Sequence, residues 1–132
     1  MSAENAIQQS VYSALDAALS VSVYSNGAVP DNTASKYVVV GDDTHIEWGA
    51  DGSNGFESTI TIHSWDNDSQ TRGLFGVKVL MGQIYSALNR AELTITGYNF
   101  VGCDFEFSET FVESDGVTRH GVQRFRIFVE TS

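Results

Sequence analysis

The closing third of the chain alternates with a period of two. Gln123, Phe125, Ile127 and Val129 interleave with Val122, Arg124, Arg126 and Phe128, the pattern of a strand with one buried face. Upstream, Val101, Cys103, Phe105, Phe107 and Phe111 mark one side of a second run, and Asp104, Glu106, Ser108 and Thr110 mark the other. Ser114-Asp115-Gly116 between them is hairpin chemistry. A two-stranded ribbon cannot bury its own apolar face, so this pattern demands a covering layer. Its polar side sets carboxylates on one strand opposite arginines on the next, a cross-strand pairing that stabilises a sheet.

The covering layer is legible too. Ile7, Val11, Leu15, Ala18 and Leu19 recur at steps of three and four, which predicts an amphipathic helix over residues 3–20. Ser2 would cap it, with Glu4 favoured in its first turn. Leu74, Val77, Met81, Ile84 and Leu88 predict a second helix over 70–90, with Asp66-Asn67-Asp68-Ser69 as candidate caps. Gly73, Gly76 and Gly82 weaken that helix and suggest that the sheet packs closely against it.

Tyr37-Val38-Val39-Val40 reads as a strand ending at Gly41, residues 57–65 alternate as another, and Leu93 and Ile95 lead to a turn near Gly97-Tyr98-Asn99. Residues 25–35 carry turn chemistry. Residues 42–55, acidic and glycine-rich with no clear period, read as a long functional loop. The expected order is helix, strand, strand, helix, strand, strand, strand. That is an α+β fold: a mostly antiparallel sheet of four to five strands, two helices packed on one face, and a single domain over 1–132.

Composition narrows the function. At 132 residues the chain can bury a core without staples. Seven basic residues against seventeen acidic ones leave a charge of −10, which repels nucleic acid and anionic membranes at long range. The single cysteine, Cys103, cannot form an intrachain disulfide and sits in an apolar run, where a thiol behaves as a small core residue. Met1 to Ser20 lacks a basic n-region and a continuous apolar stretch, so neither a signal peptide nor a membrane span is expected, and folding is expected in a cytoplasm.

No catalytic constellation stands out. Asp66-Asn67-Asp68 begins like a calcium loop, but Thr71 and Val77 occupy the positions that need glycine and glutamate. Asp43, His45 and Glu47 would share one face of an extended segment, yet a solvated acidic loop accounts for them better than a metal site. His63 and His120 lack a nucleophile-elbow partner, and no phosphate-binding glycine loop exists. The reading is a non-enzyme with no cofactor; a small metal-dependent hydrolase using His63, His120 or the 43–47 stretch is the alternative from another class.

The layout resembles the small tail-completion, or tail-terminator, proteins of long-tailed bacteriophages and gene-transfer agents. The resemblance spans the Ala6 to Leu19 helix, Tyr37-Val38-Val39-Val40-Gly41, His63-Ser64-Trp65 and Ile84-Tyr85-Ser86-Ala87-Leu88. Asp115-Gly116 followed by His120-Gly121-Val122-Gln123-Arg124-Phe125-Arg126 is its most distinctive part. It implies a structural virion protein that forms a ring, commonly of six copies, at the head-proximal end of the tail tube. The implied partners are further copies of the chain, the tail-tube protein and head–tail connector proteins. Neither a membrane nor a specific nucleic-acid sequence is implied, although DNA would pass through the ring. The implied place is the virion tail, assembled in the host cytoplasm; another neck or connector protein is the nearest alternative. Expected contact residues are Asp42, Asp43 and Glu47, the anchors Trp48 and Phe56, and Arg119, Arg124 and Arg126. Those arginines would meet acidic patches of a neighbouring subunit or pair within the chain with Asp104 and Glu106.

Overall fold

A computed structural model describes residues 2–50, 53–68 and 73–131. Helix α1 (Ala3–Ala18) and strand β1 (Ser22–Ser25) are followed by β2 (Lys36–Ala50), β3 (Ser53–Asp66), helix α2 (Phe75–Leu88), β4 (Tyr98–Val112) and β5 (Arg119–Thr131). The strands form one sheet in the order β1-β2-β3-β5-β4. Only the β1–β2 pair is parallel. This is the expected α+β class.

Helix α1 starts where its sequence predicts, with the Ser2 hydroxyl accepting from the Asn5 amide at 3.2 Å. Its Ile7, Val11 and Leu15 join Leu80, Ile84 and Leu88 of α2 over one sheet face built from Val38, Val40, Ile60, Ile62, Cys103, Phe125, Ile127 and Val129. Both helices thus cover the same side. Among the described residues, the other side carries no helix.

Four details depart from the sequence reading. Residues 42–50 and 53–55 are not a loop: they continue β2 and open β3, paired from Asp43↔Ile60 to Ala50↔Ser53, while residues 51 and 52 lie outside the described residues. The cause is a bulge between Gly41 and Asp43, where Asp42 takes a left-handed backbone with φ 51°. One extra residue shifts the side-chain phase by one and hides the strand from a period-two reading.

The same physics splits β4. Bulges between Phe100 and Gly102 and between Phe105 and Phe107 leave Val101 half exposed and move Phe107 and Phe111 to the helix-free face, while Cys103 stays in the core. Third, the fifth strand is β1 rather than the Leu93–Ile95 segment, which runs as irregular backbone with Leu93 and Ile95 buried. Fourth, α2 begins at Phe75 with Leu74 as N-cap and no side-chain cap. Asp66 instead ends β3, and Ser69 lies outside the described residues. Nor do all the glycines mark close packing: a Cβ on Gly82 would touch nothing within 4 Å.

Cys103 is 1% exposed. Burial pushes its thiol up to about 12, and the Asp104 carboxylate adds to the effect. A thiol held protonated and covered does not react. Native protein will therefore resist thiol-reactive dye at pH 8 and take up one equivalent only after unfolding; rapid labelling of the folded chain would contradict this packing.

Candidate functional site

The helix-free face divides into three zones along the strands. At one end, aromatic and imidazole rings from adjacent strands line up. Tyr24 meets Tyr37 edge-on at 6.0 Å, Tyr37 stacks on Trp65 at 6.5 Å, and Trp65 stacks on His120 at 3.7 Å. Phe111 closes the row 4.9 Å from His120. The registers Tyr37↔Trp65, Trp65↔His120 and Phe111↔His120 place these rings side by side. Sequence reading had no way to find this row, because it needs three registers at once.

His63 and His120 sit within that zone. His63 Nδ1 lies 2.9 Å from His120 Nε2, His63 Nε2 lies 3.0 Å from an Asp42 carboxylate oxygen, and His120 Nδ1 lies 2.7 Å from Glu113. Burial lowers the proton affinity of His120; the Glu113 hydrogen bond opposes that effect and the nearby His63 reinforces it. The two histidines are 57 residues apart in sequence and join only across the sheet.

The middle zone holds the charges. Arg126 bonds Glu106 at 2.7 Å and approaches Glu57 at 3.4 Å, while Arg124 reaches Glu106 at 2.8 Å. The Arg126 hydrogen bond holds the Glu106 carboxyl below the usual carboxylate range. The Arg124 guanidinium also lies 4.7 Å above the Phe107 ring, a cation–π contact. Arg124 and Arg126 are thus paired within the chain, one of the two alternatives the sequence left open, through Glu106 and through Glu57, which the sequence reading did not name; among the described residues their ion pairs do not include Asp104. Arg119 is different. It is buried beside Asp66, with Nη2 3.4 Å from Asp66 Oδ1 and 2.6 Å from the Asp68 carbonyl.

The third zone is the β2–β3 hairpin arm. Beyond the bulge, Thr44, Ile46 and Trp48 turn to the helix-free face, and Asp43, His45 and Glu47 turn to the other. Ile46 is 59% exposed; Trp48, 38% exposed, packs edge-on against Phe128 at 5.6 Å. Phe56 faces the core side and meets Tyr98 at 6.2 Å, so it and Trp48 occupy opposite faces. Asp43, His45 and Glu47 do share a face, as an extended segment requires. His45 there bonds Asp43 at 3.1 Å and the buried Ser58 hydroxyl at 2.8 Å. Asp42 projects into solvent at the bulge and also accepts from Asn26 at 3.3 Å.

The β4 edge of the sheet is protected over part of its length. On β4, the Cys103 carbonyl accepts from the Arg90 amide at 2.7 Å and the Phe105 amide donates to the Asn89 side chain at 3.0 Å. The stretch just after α2 thereby covers half of that edge. Over residues 107–112 the described residues supply β4 with strand pairing on the β5 side only, and Phe107 and Val112 stay exposed there. Such a half-open edge invites a further strand.

An open face, a projecting arm and a half-open edge are features of an assembling subunit. The comparisons with known proteins point the same way. Residues 9–130 match the family model described as tail completion protein gp17. The tail completion protein gp17 of Bacillus phage SPP1 is 24% identical over 96 residues, covering 73% of this chain and 69% of that protein. A solved structure of bacteriophage SPP1 gp17 superimposes with a TM-score of 0.60 at 21% identity, over 95% of this chain and 89% of the other. A chain from the virion of a native gene transfer agent particle fits better, with a TM-score of 0.84 at 21% identity over 98% of both chains. The family match takes in the later part of α1, from residue 9, all of α2 and the five-stranded sheet up to residue 130, and the chain belongs to the tail completion protein gp17 family, structural proteins of phage tails.

Proposed function

We propose that this chain forms a closed ring, six copies in number, that seats on the head-proximal end of the tail tube, ends its growth and joins the tail to the head. Membership of the tail completion family carries the reading. A tube grows because each added layer exposes a new copy of the surface it has just covered. A ring that binds this surface without reproducing it stops growth, and head-to-tail contacts between identical subunits close when the rotation per subunit allows.

The arm tip with Glu47 and Trp48, joined by Ile46, and the half-open stretch of β4 are the contact surfaces we assign to neighbours, with Asp42 and Asp43 at the arm's root. Phe56 supports the arm from the core side. The buried Arg119 and the internally paired Arg124 and Arg126 shape the subunit rather than recruit its neighbour. The chain acts by geometry and not by catalysis. It needs no cofactor, DNA passes through the ring unread, and assembly takes place in the host cytoplasm. Subunits carrying −10 each repel until salt screens them, so moderate ionic strength favours closure.

Deletion of the chain's gene will give over-long tails that fail to join heads, scored by electron microscopy, and the purified chain at high concentration will show rings with a central hole. Ile46→Asp with Trp48→Asp will keep the fold and lose ring formation. Tails of normal length in the deletion would refute a terminating role and favour a connector on the capsid side.

A further inference from the structure

Four ionisable side chains on the helix-free face form a chain of three contacts. Asp42 comes from the β2 bulge, His63 from β3, His120 from β5, and Glu113 lies just past β4. The contacts measure 3.0 Å, 2.9 Å and 2.7 Å in that order, all within hydrogen-bond range. Each bond needs one proton between its heavy atoms. Ionised carboxylates bring none and a neutral imidazole brings one, so neutral histidines supply two protons for three bonds. If the nitrogens facing the carboxylates carry those protons, two bare lone pairs confront each other at the His63–His120 contact. The arrangement is one proton short.

We propose that the Asp42–His63–His120–Glu113 chain binds one proton beyond its neutral complement, and that this proton clamps the root of the β2–β3 arm to β5 and the end of β4. The structure assigns the proton to His63. The His63 side chain is 18% exposed against 10% for His120, and burial already opposes charge on His120. His120 stays neutral, donating through Nδ1 to Glu113 and accepting through Nε2. His63, as imidazolium, donates to both Asp42 and His120. The surroundings favour one positive charge: Glu109 of β4 acts on this site as a further carboxylate. Asn26, following β1, donates to Asp42, Tyr37 of β2 and Trp65 of β3 line the same recess, Phe111 adds its ring, and Arg124 of β5 is engaged with Glu106.

The folded chain then holds a proton that the unfolded chain releases above about pH 6.5, the ordinary histidine value. The clamp's stabilisation is complete below that pH and is lost as pH rises through the folded chain's own release point. On the acid side the sign reverses. His120, whose proton affinity burial lowers, resists a second proton that the unfolded chain accepts, so stability also falls as pH drops below the ordinary histidine range. The two effects together put the highest net stability near the ordinary histidine value, about pH 6.5. This does not rest on the ring reading, because it concerns the isolated subunit.

Asp42→Asn tests it. Asparagine takes the left-handed backbone of this position as readily as aspartate. Its oxygen still accepts from Asn26, and its amide now donates to His63 Nε2, so three protons fill three bonds with every ring neutral. In the wild-type chain the unfolding constant should rise by up to about tenfold per pH unit along the alkaline limb, and nitrogen NMR at pH 7 should show His63 protonated on both ring nitrogens. In Asp42→Asn that limb should flatten and His63 should become neutral with its proton on Nδ1. A singly protonated His63 in the wild-type chain at pH 7, or an unchanged alkaline slope in a folded Asp42→Asn variant, overturns the proposal. Should the variant not fold, the wild-type spectrum decides alone.

Discussion

Arg119→Met will cost the fold about 3–5 kcal/mol, a large part of what a domain of this size has to lose. Asp66 is 1% exposed, and the Arg119 guanidinium lies 3.4 Å from its carboxylate. The same Nη2 also donates to the Asp68 carbonyl at 2.6 Å. Methionine fills much of the arginine's volume, so the loss measures a carboxylate left buried without its countercharge rather than a cavity. The double variant with Asp66→Asn should recover a good part of the stability, because no charge then remains in the core. Urea denaturation of the single and double variants reads both. An Arg119→Met unfolding free energy within about 1 kcal/mol of wild type would show that the pair does not carry the end of β3 and the start of β5.

Gly55→Ala will destabilise by about 3 kcal/mol, the upper end of the usual overpacking cost. A Cβ there would run into the Val129 carbonyl oxygen and lie 3.0 Å from the Trp48 ring and 3.1 Å from the Glu130 Cα. Two of those three neighbours are backbone of β5, locked into the ladder on both sides by β3 and β4, so the sheet must open to make room. Two other glycines calibrate the result. At Gly121 an added Cβ meets the Met81 thioether, a flexible side chain that can turn away. At Gly82 it meets nothing within 4 Å, and alanine on that helix should stabilise by about 1 kcal/mol. The expected order of thermal midpoints is Gly82→Ala highest, then wild type, Gly121→Ala and Gly55→Ala. Gly55→Ala melting with wild type would mean that β3 and β5 are not paired in this register.

The candidate site was only partly visible in the sequence. Trp48 could be singled out as an exposed-looking aromatic, and alternation on two adjacent strands offered the pairing of Arg124 and Arg126 with Glu106 as one of two alternatives. Arg119 carries the same charge as its neighbours, and only its place opposite Asp66 shows that it belongs inside. The His63–His120 contact left no local trace. Nor could the ring row from Tyr24 to Phe111 be read, since each ring is an ordinary aromatic or histidine in its own segment.

What the amino-acid order determined by itself was local: the α1 face from Ile7 to Leu15, the buried alternation of β5, the turn at Asp115-Gly116 and the α+β class. In each, a single period matched a single buried face over an unbroken run. Tertiary structure alone decided the rest. The bulges at Asp42, Val101 and Glu106 each insert one residue and exchange the two faces downstream, a four-residue β1 becomes a strand only because β2 lies beside it, and strand register selects which distant side chains meet. Those outcomes depend on hydrogen bonds between segments far apart in the chain, and a periodicity within one segment holds no information about them.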